Sequence, residues 1–231
     1  MATIYDLSAR YESHGDPASV SSGHGDLGGI SYGIYQLSSK SGSVQAFLDF
    51  ACAHSNKVLA NYGVTLSQYE INSGHFIEEW KTIGIHDPDG FSQLQNEYAK
   101  LIYFDRAAQY LHGVGYEICN KSLAMQAVLM SRAVQYSAGN MVELFTEAVQ
   151  RLGHPNLSYV NDRAFDNEMI TNIYNFLIDE CNHAYELASG LYHSPKDWAN
   201  GSFTIVKVGL RNRFINERND ALTMLGEQSD P

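Results

Sequence analysis

A chain of 231 residues can bury one substantial core without a metal or disulfide, and the reading is one domain over residues 1–225 with a flexible tail at 226–231. With 15 Lys+Arg against 26 Asp+Glu, a net charge of -11 excludes a nucleic-acid surface, which needs clustered cations. The start MATIYDLSARYES has neither a basic segment nor an apolar stretch, and no apolar run reaches the roughly 18 residues of a span, so neither signal peptide nor membrane insertion is expected.

In chain order, a short first helix closes on Glu12, and residues 13 to 43 form an ordered, glycine- and serine-rich loop or hairpin. Strand-type alternation is confined to about residues 28 to 37. Ser41 or Ser43 then caps a helix whose apolar positions Val44, Phe47, Leu48, Ala51, Val58 and Leu59 run on to Tyr62 and Gly63. Thr65 or Ser67 opens another towards Trp80, and the segment HDPDGF breaks it. Phe91, Leu94, Tyr98, Leu101, Ile102, Tyr110 and Leu111 form one stripe of a long helix that stops at Gly113 and Gly115.

Further helices are expected at about 122–137, 140–152, 166–189 and 203–225. Asp166 caps the third of these, and Ser194-Pro195 starts a turn before Trp198. Tyr98, Tyr103, Tyr110 and Tyr174 read as core residues with polar tips, and Arg213–Glu217 as an ordinary i,i+4 pair on a helix surface. Cys52, Cys119 and Cys181 are odd in number and lack C-x-x-C spacing, so they read as small core residues of a protein made in a reducing cytoplasm. The fold class is therefore mainly α (α+β), with a small β-hairpin beside the first helix.

Chemistry concentrates in YESHGDPASVSSGHGDLGGISYGIYQL. Glu12 and Asp26 are its candidate catalytic carboxylates, and Ser31 a candidate holder of a water. Tyr32, Gly33, Tyr35 and Gln36 supply ring faces, close backbone approach and an amide with little charge, a surface suited to sugars. The tripeptides His14-Gly15-Asp16 and His24-Gly25-Asp26 offer four potential ligands, yet neither H-E-x-x-H nor Cys/His spacing occurs, so no metal and no cofactor is expected.

Asp26, Gly29, Ser31 and Gly33 resemble the pattern of inverting chitosanases, with Gly28 where those enzymes usually carry arginine. Glu12-Ser13 with Tyr32-Gly33-Ile34-Tyr35-Gln36 resembles the transglycosylase and goose-type lysozyme group. Together with AVLMSRAVQYSAGN and RFINERNDAL, these segments resemble phage-type and effector-type peptidoglycan hydrolases of the lysozyme superfamily. That resemblance implies a lysozyme-like, chitosanase-like fold and a muramidase or endolysin cutting peptidoglycan glycan strands. Glu12 would be the general acid, desolvated to raise its pKa, and Asp26 the general base, with Tyr32, Gly33, Tyr35, Gln36 and Gln135 binding substrate. The alternatives are a chitosanase and a catalytically silent glycan-binding or structural phage domain. The implied partners are peptidoglycan strands, a secretion or injection machine and an immunity protein, with action on the wall or periplasm after release or delivery.

Overall fold

The computed structural model describes residues 2–12, 15–23, 29–186, 198 and 204–227. It is mainly helical with a small two-stranded hairpin, the fold class that the sequence patterns indicate. The chain groups into two compact units, Ser8–Ile102 and Met1–Leu7 with Tyr103–Pro231, and the helix α1 (Asp6–Glu12) runs across their first boundary.

In the first unit, β1 (Ser31–Tyr32) pairs antiparallel with β2 (Leu37–Ser38), Tyr32 opposite Leu37, and Val20 adds a single bridge to Tyr32. The helices α2 (Ser43–Cys52), α3 (Lys57–Leu66), α4 (Gly74–His86) and α5 (Pro88–Ala99) follow. Their core is aromatic: the buried Trp80 ring lies 4.9 Å from Phe91, 5.1 Å from Tyr32 and 5.4 Å from Phe47. Such tilted and edge-on pairs suit the ring quadrupoles and bury large apolar area.

The single helix expected from Val44 to Gly63 is two. The Asn56 side chain accepts from the Val58 N–H at 2.9 Å and starts α3 afresh, which turns Val58 outward. Gly63 then lets α2 and α3 approach closely, since a Cβ there would lie 2.7 Å from both Ala51 Cβ and the Cys52 nitrogen. Neither Thr65 nor Ser67 opens the next helix: Ser73 does, its hydroxyl accepting from the Phe76 N–H at 3.1 Å.

The break at HDPDGF is present as the junction of α4 and α5. Asp87 caps α5 by accepting from the Gly90 N–H at 3.0 Å, and the Tyr62 hydroxyl donates to its other oxygen. These bonds, the Tyr62 one first, favour the carboxylate and hold Asp87 below its ordinary 3.8. A depressed folded-state value means the stabilisation is complete above the unfolded value and is lost as pH falls through the folded one. Asp87→Asn is expected to lower the melting temperature at neutral pH and to shrink its fall below about pH 4, as read by thermal melts over a pH series.

A π-helical turn, Lys100–Asp105, joins α5 to α6 (Arg106–Gly113). It explains why the expected stripe fails in its second half. Phe91, Leu94, Tyr98 and, as expected, Leu111 are buried, but the extra residue per turn brings Phe104 and Ala107 into the core in place of Leu101 and Tyr110, which are exposed. The second boundary between the units falls inside this turn.

The second unit holds α6, α7 (Leu123–Tyr136), α8 (Met141–Arg151), α9 (Asp166–Glu186) and α10 (Thr204–Glu227). Ala124, Met125, Ala127, Val128, Leu129, Met130 and Ala133 are all buried, so α7 is apolar nearly all round, as a central helix must be. Ser122 caps it, its hydroxyl accepting from the Met125 N–H. Asp166, expected as a cap of its own helix, accepts from the Ser122 N–H at 2.7 Å and so ties the head of α9 to that of α7. Beside it the buried Lys121 ammonium donates to the carbonyls of Val160 at 2.6 Å and Asp162 at 2.9 Å.

Two further expectations are corrected here. Of the three free cysteines only Cys181 is buried, Cys52 and Cys119 being exposed. Glu217 is not a surface residue but fully buried, as described below. The turn expected at Ser194-Pro195 lies outside the described residues, while Trp198 is buried against Tyr136 and Phe176. Among the described residues, no helix is long and apolar enough to cross a membrane.

Candidate functional site

The polar hairpin is built on one glycine and one buried amide. Gly33 has φ 70° and Gln36 φ 51°, both left-handed, and the Gln36 side-chain amide donates to the Gly33 carbonyl at 3.0 Å to hold the turn. Gln95, buried on α5, accepts from the Ile34 N–H at 2.8 Å and donates to the Pro17 carbonyl at 3.1 Å. Trp80 donates to the same carbonyl at 3.0 Å. A single side chain thus fastens the hairpin and the preceding loop to α5, and every polar group involved is paired, as burial requires.

The tyrosines of this hairpin face inward. Tyr32 is fully buried, its ring 5.3 Å from Phe76 and its hydroxyl donating to Asn72 at 3.0 Å, and burial pushes that hydroxyl up to about 12. The Tyr35 ring is also buried, with its hydroxyl donating to Asn96 at 2.7 Å. Ser31 is buried in β1, where its N–H donates to the Ser21 hydroxyl at 2.8 Å and its carbonyl accepts from the Ser21 N–H at 2.9 Å.

Glu12 ends α1, and its side chain lies outside what the structure describes. Asp26, with Ser13, His14, His24, Gly25 and Gly28, lies outside the described residues. Asp16 of the first His-Gly-Asp tripeptide is an exposed turn former, accepting from the Ala18 N–H at 2.9 Å. Among the described residues no three His, Cys, Asp or Glu side chains gather as a metal site.

Gln135 stands on α7 in the second unit, half-buried, where its carbonyl oxygen accepts from Arg132 at 2.8 Å. A guanidinium can only donate, so this bond fixes which end of the amide faces inward. Arg132 itself is fully buried and donates to Glu217 at 2.6 Å and to the Ser131 hydroxyl at 3.0 Å. The Ser131 hydroxyl donates to the second Glu217 oxygen, and Arg213 stands 3.6 Å from Glu217. Burial alone would lower the guanidinium's pKa, but Glu217 outweighs it and holds Arg132 charged. Phe214 and Tyr174 place their rings within 5.1 and 5.3 Å of that charge.

Gln95 and the Arg132–Glu217 pair were not singled out from sequence. The available signal was a polar residue in an apolar register: Gln95 among Phe91, Leu94 and Tyr98, and Ser131-Arg132 inside AVLMSRAVQY.

The described residues are mainly helical and carry one small polar hairpin. Residues 4–201 match the family model described as type VI secretion system spike protein VgrG3-like, C-terminal, and the chain belongs to that family. Over 131 residues it is 31% identical to the type VI secretion system spike protein VgrG3 of Vibrio cholerae serotype O1 (strain ATCC 39315 / El Tor Inaba N16961). That alignment takes in 56% of this chain and 12% of the relative's length.

The family match overturns the assignment to the lysozyme superfamily and, with it, the muramidase, endolysin, chitosanase and phage readings. The physical reason is visible in the hairpin. The spacing of Tyr32, Gly33, Tyr35 and Gln36 meets the needs of a tight turn packed on Trp80 and Gln95, so that pattern alone does not carry a catalytic family. The expected link with an injection machine does stand at the level of the family, which is named for a secretion spike.

Proposed function

We propose that this chain is an effector module of a type VI secretion spike, delivered into a target cell, where it acts on the cell-wall peptidoglycan. The family match over residues 4–201 supports the link with a secretion spike. The relative is itself named as a spike protein and is much longer than the stretch it shares with this chain, which fits a module attached to a larger carrier. An acidic chain with a net charge of -11 also has no general attraction for nucleic acid, which makes that target a poor one.

The site we propose contains Glu12, Asp26 and Ser31, with Gly33 and Gln36 shaping the hairpin next to Ser31. Tyr32 and Tyr35 support that hairpin from within, and Gln135 belongs to the proposed binding residues of the second unit. Purified sacculi incubated with the chain are expected to release soluble fragments, whose masses identify the bond broken. Glu12→Gln and Asp26→Asn are expected to lose most of that release with unchanged thermal melts. Sacculi that neither release fragments nor retain the protein on sedimentation would sink the proposal.

A further inference from the structure

Among the described residues, three that are not glycine hold a positive φ: Gln36 at 51°, Asn72 at 70° and Ser137 at 73°. The fold accounts for the first two through their side chains. The Gln36 amide closes the hairpin turn on the Gly33 carbonyl, and the Asn72 oxygen accepts from the Tyr32 hydroxyl. Ser137 differs: it is exposed, and its hydroxyl has no partner among the described residues. Its ψ of 150° adds to the strain, because with that φ it lies in a region that glycine enters readily and residues with a Cβ do not.

The surroundings impose this angle. Ser137 stands between the end of α7 and a 3-10 turn, Ala138–Asn140. Before it, the buried Tyr136 donates its hydroxyl to the Trp198 carbonyl at 2.6 Å and accepts at its own carbonyl from the Asn140 side chain at 2.6 Å. After it, Ala138 and Met141 are buried. With the backbone fixed on both sides, the strain falls on the residue between. A glycine at 137 would relieve it. Glycine stands instead at 139, where φ is outside the left-handed region and a Cβ would meet no atom within 4 Å. A serine where the backbone favours glycine, with a hydroxyl that the fold itself does not bond, points to a contact outside the chain.

We propose that Ser137 is a substrate-contacting residue of the wall-directed activity, its hydroxyl held out to the peptidoglycan by the strained turn at the end of α7. The inference rests on the wall-directed reading above and adds a residue two positions beyond Gln135 to the binding residues of the second unit. A hydroxyl both donates and accepts, so Ser137 holds the substrate by a hydrogen bond and takes no covalent part.

The test is fragment release from sacculi at limiting substrate, together with thermal melts, for the full-chain wild type, Ser137→Gly and Ser137→Ala. Ser137→Gly is expected to melt about 2–4 °C higher, since relief of the strain outweighs the freedom that glycine adds to the unfolded chain. It is nevertheless expected to release fragments about tenfold more slowly, through loss of one hydrogen bond. Ser137→Ala keeps the strain and loses the hydroxyl, so it should melt with the wild type and release as slowly as Ser137→Gly. A role confined to folding would not raise stability and lower release in the same variant. Release at the wild-type rate by either variant, or a Ser137→Gly that melts no higher than wild type, overturns the inference and leaves the effector reading standing. A wild type that releases no fragments removes the activity, and this inference with it.

Discussion

Glu217→Ala is expected to destabilise the second unit by about 3–5 kcal/mol, the usual cost of removing one partner of a buried ion pair. Both Arg132 and Glu217 have 0% exposed side chains, so the substitution leaves a guanidinium in the core facing Tyr174 and Phe214 with its counter-charge gone. Ser131 loses its acceptor as well. Against a typical total stability of about 5–15 kcal/mol, the variant is expected to be partly unfolded at 37 °C, which urea titration followed by circular dichroism would show. Replacing both charges, Arg132→Met with Glu217→Leu, should recover most of the loss, because the penalty comes from the unpaired charge more than from the missing bond. Glu217 lies on α10, beyond the residues 4–201 that match the family model. A chain cut after residue 201 is therefore expected to behave at least as badly as Glu217→Ala. Full cooperativity in the truncated chain would show that α10 is dispensable.

How far the sequence could be read depended on whether the deciding contact was local. The break at HDPDGF and the stop at Gly113 act within a turn of the helices they bound, and their residue types mark them in the sequence. The start of α3 at Asn56 was equally local but hidden, because Val58 and Leu59 continue the apolar spacing of α2 across the break. The π turn at Lys100–Asp105 could not be read at all, since an inserted residue changes no composition and shows only as a buried stripe that slips out of phase. Glu217 was misread for a different reason: the Arg213–Glu217 spacing is the same whether that helix face meets water or Arg132. The hairpin was legible as a turn, yet its residues were credited with a family identity when two demands, left-handed backbone at Gly33 and Gln36 and burial of Tyr32 and Tyr35, already account for them.

Gly33→Ala carries the second large expected effect, and it probes how the hairpin is held. At φ 70° an L-residue is strained by about 1–2 kcal/mol. A Cβ there would also overlap the Gln95 amide oxygen and come within 3.0 Å of the Trp80 ring, so Gln95 must move. Moving it breaks its bonds to the Ile34 N–H and the Pro17 carbonyl in a buried setting, where each group left unpaired costs about 1–3 kcal/mol. The expected loss is about 3 kcal/mol or more, concentrated in the first unit and visible as reduced hydrogen-exchange protection at Ile34. Gln95→Ala removes the obstacle but strands the same Ile34 N–H, so its own cost should be large. Since both substitutions break one shared set of bonds, the double variant Gly33→Ala with Gln95→Ala should cost clearly less than the two singles added together. Strict additivity in that cycle would mean that the glycine is required for its backbone angle alone, and that the added Cβ leaves the Gln95 bonds intact.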